Sequence, residues 1–263
     1  MNIKYASLQG KRDENEDQHI IIQNLDNQNP KYNNIDIIGV FDGHGGKLVS
    51  KYAKKILPKY FLKKNDKLFN STKYTNKYIS KVFNKFNKLL NDKYPRASLY
   101  SGSTCCLAII HKSKNNNKNL WIVNVGDSRA VLSRNKSSKQ LSFDHKPNTP
   151  LEKKRITKLG GAKKIKYDGY DWRILNLSLS RALGDLDSHP YITPLPQVYK
   201  YKLRPSDNFI VLGCDGLWDV FSNQAAINFV SQNIHHNNIA KLLAQEAINK
   251  GSTDNVTTII YPF

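Results

Sequence analysis

The apolar residues of this 263-residue chain fall in eight short runs, and these are grouped apart from the helical stretches instead of alternating with them. Short runs rich in Val, Ile, Leu or Tyr and bounded by turn residues read as strands. They are His19–Gln23, Ile35–Phe41, Ser103–Ile110, Leu120–Val125, Arg129–Ser133, Gln197–Leu203, Phe209–Cys214 and Val256–Tyr261. Ser103–Ile110, Leu120–Val125 and, after Gly126-Asp127-Ser128, Arg129–Ser133 read together as an antiparallel meander. Helical spacing marks Thr75–Tyr94, where Tyr78, Ile79, Val82, Phe83, Phe86, Leu89 and Leu90 form one stripe. Gly46–Leu62 reads as a helix broken or kinked near Pro58. Thr149-Pro150-Leu151-Glu152 has the form of a capping box, with Gly160-Gly161 closing that helix. Ser222–Ile234 and Asn238–Lys250 supply two more. Segregated strands and helices predict an α+β fold with mainly antiparallel sheet.

The longest apolar runs, Phe209–Cys214 and Cys105–Ile110, fall far short of the ~18–20 residues that span a bilayer. The opening Met1-Asn2-Ile3-Lys4-Tyr5 has neither an apolar signal core nor a Gly for myristoylation, so an intracellular, cytoplasmic or nuclear protein is expected. Cys105, Cys106 and Cys214 lie inside apolar runs without a C-x-x-C pair, which predicts buried reduced thiols. No linker or repeat divides the chain. The Asn/Lys-rich stretches Asn24–Asn34, Ser113–Asn119 and Asn135–Lys139 read as loops of one domain over 1–263, expected to be a monomer. Lys+Arg 41 against Asp+Glu 21 leaves a net charge of +20. That balance raises nucleic-acid binding, but the lysines are spread along the chain and no basic stripe with interleaved aromatics appears.

In so basic a chain the position of the acids carries the information. Glu16 and Asp17 precede one strand; Asp42, in Asp42-Gly43-His44-Gly45-Gly46, follows another. Asp215, in Asp215-Gly216-Leu217-Trp218-Asp219, follows a third, and Asp254 precedes the last. One such Asp is usually a turn residue. Four at strand ends are better explained by a cation, because an unpaired carboxylate at the mouth of an apolar sheet is costly to desolvate. Hard oxygen donors without clustered His or Cys suit Mg²⁺ or Mn²⁺, and at Gly43 a backbone carbonyl is free to turn toward an ion. Two such ions about 3.5–4 Å apart can share a water, lower its pKa and present hydroxide to phosphorus. Arg12 suits a phosphate, and His44 suits a proton donor to the leaving alkoxide.

These residues carry a family resemblance. Arg12-Asp13-Glu14-Asn15-Glu16-Asp17, Phe41-Asp42-Gly43-His44-Gly45-Gly46, Ser101-Gly102-Ser103-Thr104 and Val125-Gly126-Asp127-Ser128-Arg129-Ala130 are followed by four further motifs. Those are Asp144-His145-Lys146-Pro147, Leu179-Ser180-Arg181-Ala182-Leu183-Gly184-Asp185, Cys214-Asp215-Gly216-Leu217-Trp218-Asp219 and Ser252-Thr253-Asp254-Asn255-Val256-Thr257. Their order resembles that of the metal-dependent protein Ser/Thr phosphatases of type 2C, from about Lys4 to Tyr261. The resemblance implies a sandwich of two antiparallel β-sheets flanked by α-helices, with metals in a cleft at one end. It implies that Asp42 bridges two ions, Asp215 and Asp254 complete the first site, and Glu16 with the Gly43 carbonyl the second. Asp17 would orient metal-bound water, Arg12 would bind substrate phosphate, and His44 would be the general acid. Asp127 and Asp219, with Asp215, match a weaker third metal, although Asp127 also fits a plain turn. The family's variable flap would correspond to the short segment Asp187–Val198. Asp144-His145 and Arg181–Asp185 are expected to position loops, and His235-His236 to lie in a solvated turn.

The expected activity is therefore Mg²⁺- or Mn²⁺-dependent hydrolysis of phosphoserine and phosphothreonine in proteins by direct attack of metal-bridging hydroxide. The alternatives are an idle module that docks phosphoproteins and a nucleic-acid contact through the basic surface. A milder role for the charge is to steer acidic substrates to the cleft.

Overall fold

The structure is a computed structural model that describes residues 2–25, 34–61, 68–112 and 118–263. The strands in chain order are β1 (Lys4–Leu8), β2 (Gln18–Ile22), β3 (Ile35–Phe41), β4 (Gly43–His44), β5 (Gly102–Ser103), β6 (Cys105–Lys112), β7 (Lys118–Val125) and β8 (Arg129–Arg134). They continue with β9 (Ser137–Gln140), β10 (Ile165–Tyr167), β11 (Trp172–Ile174), β12 (Leu183–Gly184), β13 (Gln197–Lys202), β14 (Asp207–Gly213) and β15 (Val256–Pro262). The helices are α1 (Leu48–Phe61), α2 (Thr72–Lys93), α3 (Ala97–Tyr100), α4 (Pro150–Lys158), α5 (Asp215–Trp218), α6 (Asn223–Gln232) and α7 (Ile239–Asn249).

Two five-stranded antiparallel sheets, in the orders β1-β15-β14-β8-β9 and β13-β7-β6-β3-β2, lie face to face. Ile38, Val40, Ile122, Leu132, Leu212 and Ile259 fill the space between them. The outer face of the second sheet packs Phe41, Leu107 and Trp121 against α1 and α2; that of the first packs Val131 and Val211 against α6 and α7. Because each central strand is covered on both faces, β3, β6 and β7 carry continuous apolar runs instead of alternation. Cys105 and Cys106 point to opposite faces, into the helix-side and inter-sheet cores, and all three thiols are buried and free. The expected α+β sandwich of antiparallel sheets flanked by helices is the fold found. Among the described residues, no helix is long and apolar enough to cross a membrane.

Several local expectations are corrected. The meander does not hold: β6 and β7 form a hairpin, but β8 pairs with β14 and β9 in the other sheet. The chain changes layers at Gly126, whose φ of +96° makes an abrupt turn easy. Pro58 does not break α1, which continues to Phe61 with Leu57, Pro58 and Phe61 all buried; Leu62 lies outside the described residues. The capping box is not formed, since the Thr149 hydroxyl donates to the Lys146 carbonyl and Glu152 turns to arginines. The end of α4 is a Schellman motif, with Gly160 N–H donating to Thr157 O and Gly161 N–H to Ile156 O. Strand β1 goes unread because Ala6 is its one buried residue. The loop stretches Asn24–Asn34 and Ser113–Asn119 lie largely outside the described residues.

Candidate metal centre and active site

The strand register decides which acids meet. Gln18 pairs with Phe41, so Glu16-Asp17 and Asp42 leave neighbouring strands at the same end. Gly213 pairs with Thr258, which sets Asp215, at the start of α5, beside Asp254 just before β15. The four strand ends open on one cleft of about 1070 Å³. Its walls include Arg12, Glu16, Asp42, Gly43, His44, Asp127, Asp215, Asp219 and Asp254. Asp17 is the one predicted site residue that does not line it. It is buried just beneath, with Asp17, Asp42 and Cys214 offering side-chain atoms within 4.8 Å of one another.

Like charges this close cannot all stay ionised without a counter-charge. Desolvation, then the neighbouring Asp215 and Asp17, push the Asp42 carboxyl well above its ordinary value. Desolvation, Asp127 and Asp219 do the same to Asp215, and burial raises Asp17 to about 7. Among the described residues, neither Asp17 oxygen has a hydrogen-bond partner of good geometry. Hard, crowded, under-compensated carboxylates fit a divalent cation. Cys214 does not join the donor set, because burial raises its thiol well above the usual range. Its sulfur donates to Asn255 O and accepts from Thr257 N–H.

The loop bearing Arg12 and Glu16 is held by Asn255. Its Nδ2 donates to the carbonyls of Gln9 and Glu14, and its Oδ1 accepts from Glu16 N–H. Close approach demands Gly10, where a Cβ would sit 2.0 Å from Asp254 O. Arg12 is exposed at the rim and donates to Asp254 Oδ2 at 2.6 Å. Thr104 fastens Asp42 from both sides, its N–H donating to Asp42 O and its hydroxyl oxygen accepting from Asp42 N–H.

His44 stands on a three-stranded ribbon in the order β12-β5-β4. Its Nε2 lies 2.7 Å from Asp185 Oδ2, directly across Gly102. Burial alone would lower the imidazole pKa, but the hydrogen bond and charge of Asp185 outweigh it and raise it. Asn87, on the buried face of α2, accepts from Gly184 N–H and so braces the same ribbon. Sequence reasoning gave Asp185 only a general loop-positioning role, without the contact to His44, and assigned none to Gly102, Thr104, Asn255 or Asn87; all but Asn87 lie inside motifs quoted for the family resemblance.

Asp127 is buried at the cleft wall, but its Oδ2 is 2.8 Å from Lys146 Nζ. Asp219 is exposed at the cleft wall, yet desolvation there raises its pKa against the lowering charge of Lys146. The flap expectation is corrected. Asp187–Val198 contributes nothing to the cleft and instead borders a separate groove against α2. The cleft wall on that side is Tyr170, Asp171, Arg173 and the segment 176–179. Asp144 and His145 face inward, Asp144 paired with Arg129 and His145 Nδ1 accepting from Gly126 N–H. His235-His236 is an exposed turn between α6 and α7.

The family model for Protein phosphatase 2C matches residues 1–256. A PP2C-like domain-containing protein of Acanthamoeba polyphaga mimivirus is 42% identical over 56% of this chain and 95% of its own. Probable protein phosphatase 2C 69 of Arabidopsis thaliana is 34% identical over 98% of this chain and 69% of its own length. Protein phosphatase 1L of Bos taurus is 32% identical over 100% and 72%. Among solved structures, a serine-threonine phosphatase 2C from Toxoplasma gondii superposes with a TM-score of 0.85 at 21% identity, covering 99% of this chain and 94% of that one. The fold, the near-complete match and the relatives agree: the chain belongs to the protein phosphatase 2C family of Ser/Thr protein phosphatases.

Proposed function

We propose that this protein hydrolyses phosphoserine and phosphothreonine in proteins with Mg²⁺ or Mn²⁺ as cofactor. The observation that carries the reading is the convergence of Glu16, Asp42, Asp215 and Asp254 on one cleft, with Arg12 and His44 at its wall. Asp42 would bridge two ions, Asp215 and Asp254 would complete one site, and Glu16 with the Gly43 carbonyl the other. Two ions so held supply charge stabilisation and an activated water as nucleophile. Arg12, already near Asp254, would swing its guanidinium onto the non-bridging phosphate oxygens. Asp17, beneath Asp42, would orient the attacking water. His44, fixed by Asp185, would hand its proton to the departing serine or threonine oxygen.

Steady-state assays test this. Asp42→Asn should abolish manganese-dependent turnover and weaken manganese binding by at least about tenfold. His44→Gln should slow phosphopeptide hydrolysis by about 10²–10⁴-fold. It should spare p-nitrophenyl phosphate, whose leaving group needs no proton. A folded wild-type protein inert toward both substrates with manganese would reject the reading.

A further inference from the structure

Lys146 stands between the cleft wall and the β10–β11 hairpin, and the chemistry above makes no use of it. It lies in the loop before α4, and its Nζ is 2.8 Å from Asp127 Oδ2 and 3.0 Å from Asp171 Oδ2. The Lys146 side chain is 21% exposed and that of Asp127 2%. The ammonium therefore compensates a carboxylate that would otherwise be buried unpaired. It also acts electrostatically on Asp219 and Asp215. A permanent positive charge is thus seated among the carboxylates nearest to an outer cation position.

Asp171 precedes β11, in a hairpin whose two strands pair with no other strand among those described. An isolated two-stranded hairpin is marginal in water. This one is held from below by Ile165 and Ile174, which pack near Ile156, and from the cleft by Lys146. It supplies Tyr170, from its loop, and Arg173, from β11, to the cleft wall.

We infer that Lys146 is a built-in cation. Its ammonium occupies the outer subsite of Asp127, Asp171 and Asp219 in place of a third divalent ion, and it ties the hairpin to the cleft wall. An ammonium and a divalent ion cannot both contact Asp127 Oδ2 without strong repulsion, so an incoming third ion must expel the lysine and release the hairpin with it. The inference rests on the two-ion reading for its ion count, but not for the tether.

The test combines manganese stoichiometry, read by the EPR signal of free Mn²⁺, with amide hydrogen exchange of residues 165–174. Lys146→Gln should bind one more Mn²⁺ than the wild type and exchange about tenfold faster in the hairpin. Lys146→Arg should match the wild type in both readouts. Asp171→Asn should quicken exchange without adding an ion. An unchanged ion count in Lys146→Gln overturns the built-in cation, and unchanged hairpin exchange in Lys146→Gln or Asp171→Asn overturns the tether. A wild type that binds no Mn²⁺ would instead defeat the two-ion reading, and hairpin exchange would then decide the tether alone.

Discussion

Gly102 has no side chain because its neighbours use the space: a Cβ there would sit 2.2 Å from Asp185 Oδ2 and 2.4 Å from His44 Nε2. Gly102→Ala should therefore push the two side chains apart and take the imidazole off the leaving group. The expected result is phosphopeptide turnover lowered about 10–100-fold with a melting temperature close to wild type, since the backbone there is ordinary. Parallel turnover and thermal-melt measurements check it; undiminished turnover would show that the pair has no positioning role. The acids of the site were legible at this scale because an Asp or Glu at the end of an apolar run is conspicuous by itself. Asp185 was not, because its role is a contact to a residue 141 positions away.

At the scale of elements, α4 shows how a sequence pattern can be right about position and wrong about purpose. Glu152 sits where a capping box needs it, yet its carboxylate is shared by Arg155, Arg181 and the Ser180 hydroxyl. Burial alone would raise its pKa, but Arg181 and then Arg155 outweigh that and bring it down to about 2. Next to this knot, burial and the charge of Arg181 hold His145 down at about 4. Both folded values lie below the unfolded ones, so the unfolded state binds more protons in acid. Stability should be full above pH 6.5, fall from there toward pH 4 as His145 is asked to protonate, and fall further between pH 4.5 and 2 through Glu152. Each group accounts for about 3 kcal/mol by this linkage. Urea midpoints across this range check the slope, and His145→Gln should flatten its upper part. A midpoint independent of pH between 6.5 and 4 would refute the assignment of His145.

For the molecule as a whole, a net charge of +20 surrounds a cleft lined with carboxylates. Once cations fill that cleft, the positive field extends unopposed and should draw acidic phosphopeptides inward. The specificity constant kcat/KM should fall as ionic strength rises from about 0.01 to 0.3 M while kcat stays level, because screening shortens the reach of the field. A flat profile would leave the charge without a role in substrate capture. The sandwich also explains why the centre tolerates so many acids together. They sit where four strand ends meet, and the inter-sheet and helix-side cores behind them hold the backbone in place.

The amino-acid order alone determined the α+β class, most strands and helices, the buried thiols and the roster of acids at strand ends. Those are local properties, set by runs of side chains and by the turn residues that bound them. Only the tertiary structure decided that β8 crosses to the other sheet, that Asp187–Val198 stays clear of the cleft, and that Lys146 claims Asp127. Each of these is settled by which distant surfaces bury one another and which charges then lie close enough to pair. Pairing falls off with distance in space, and separation along the chain does not record it.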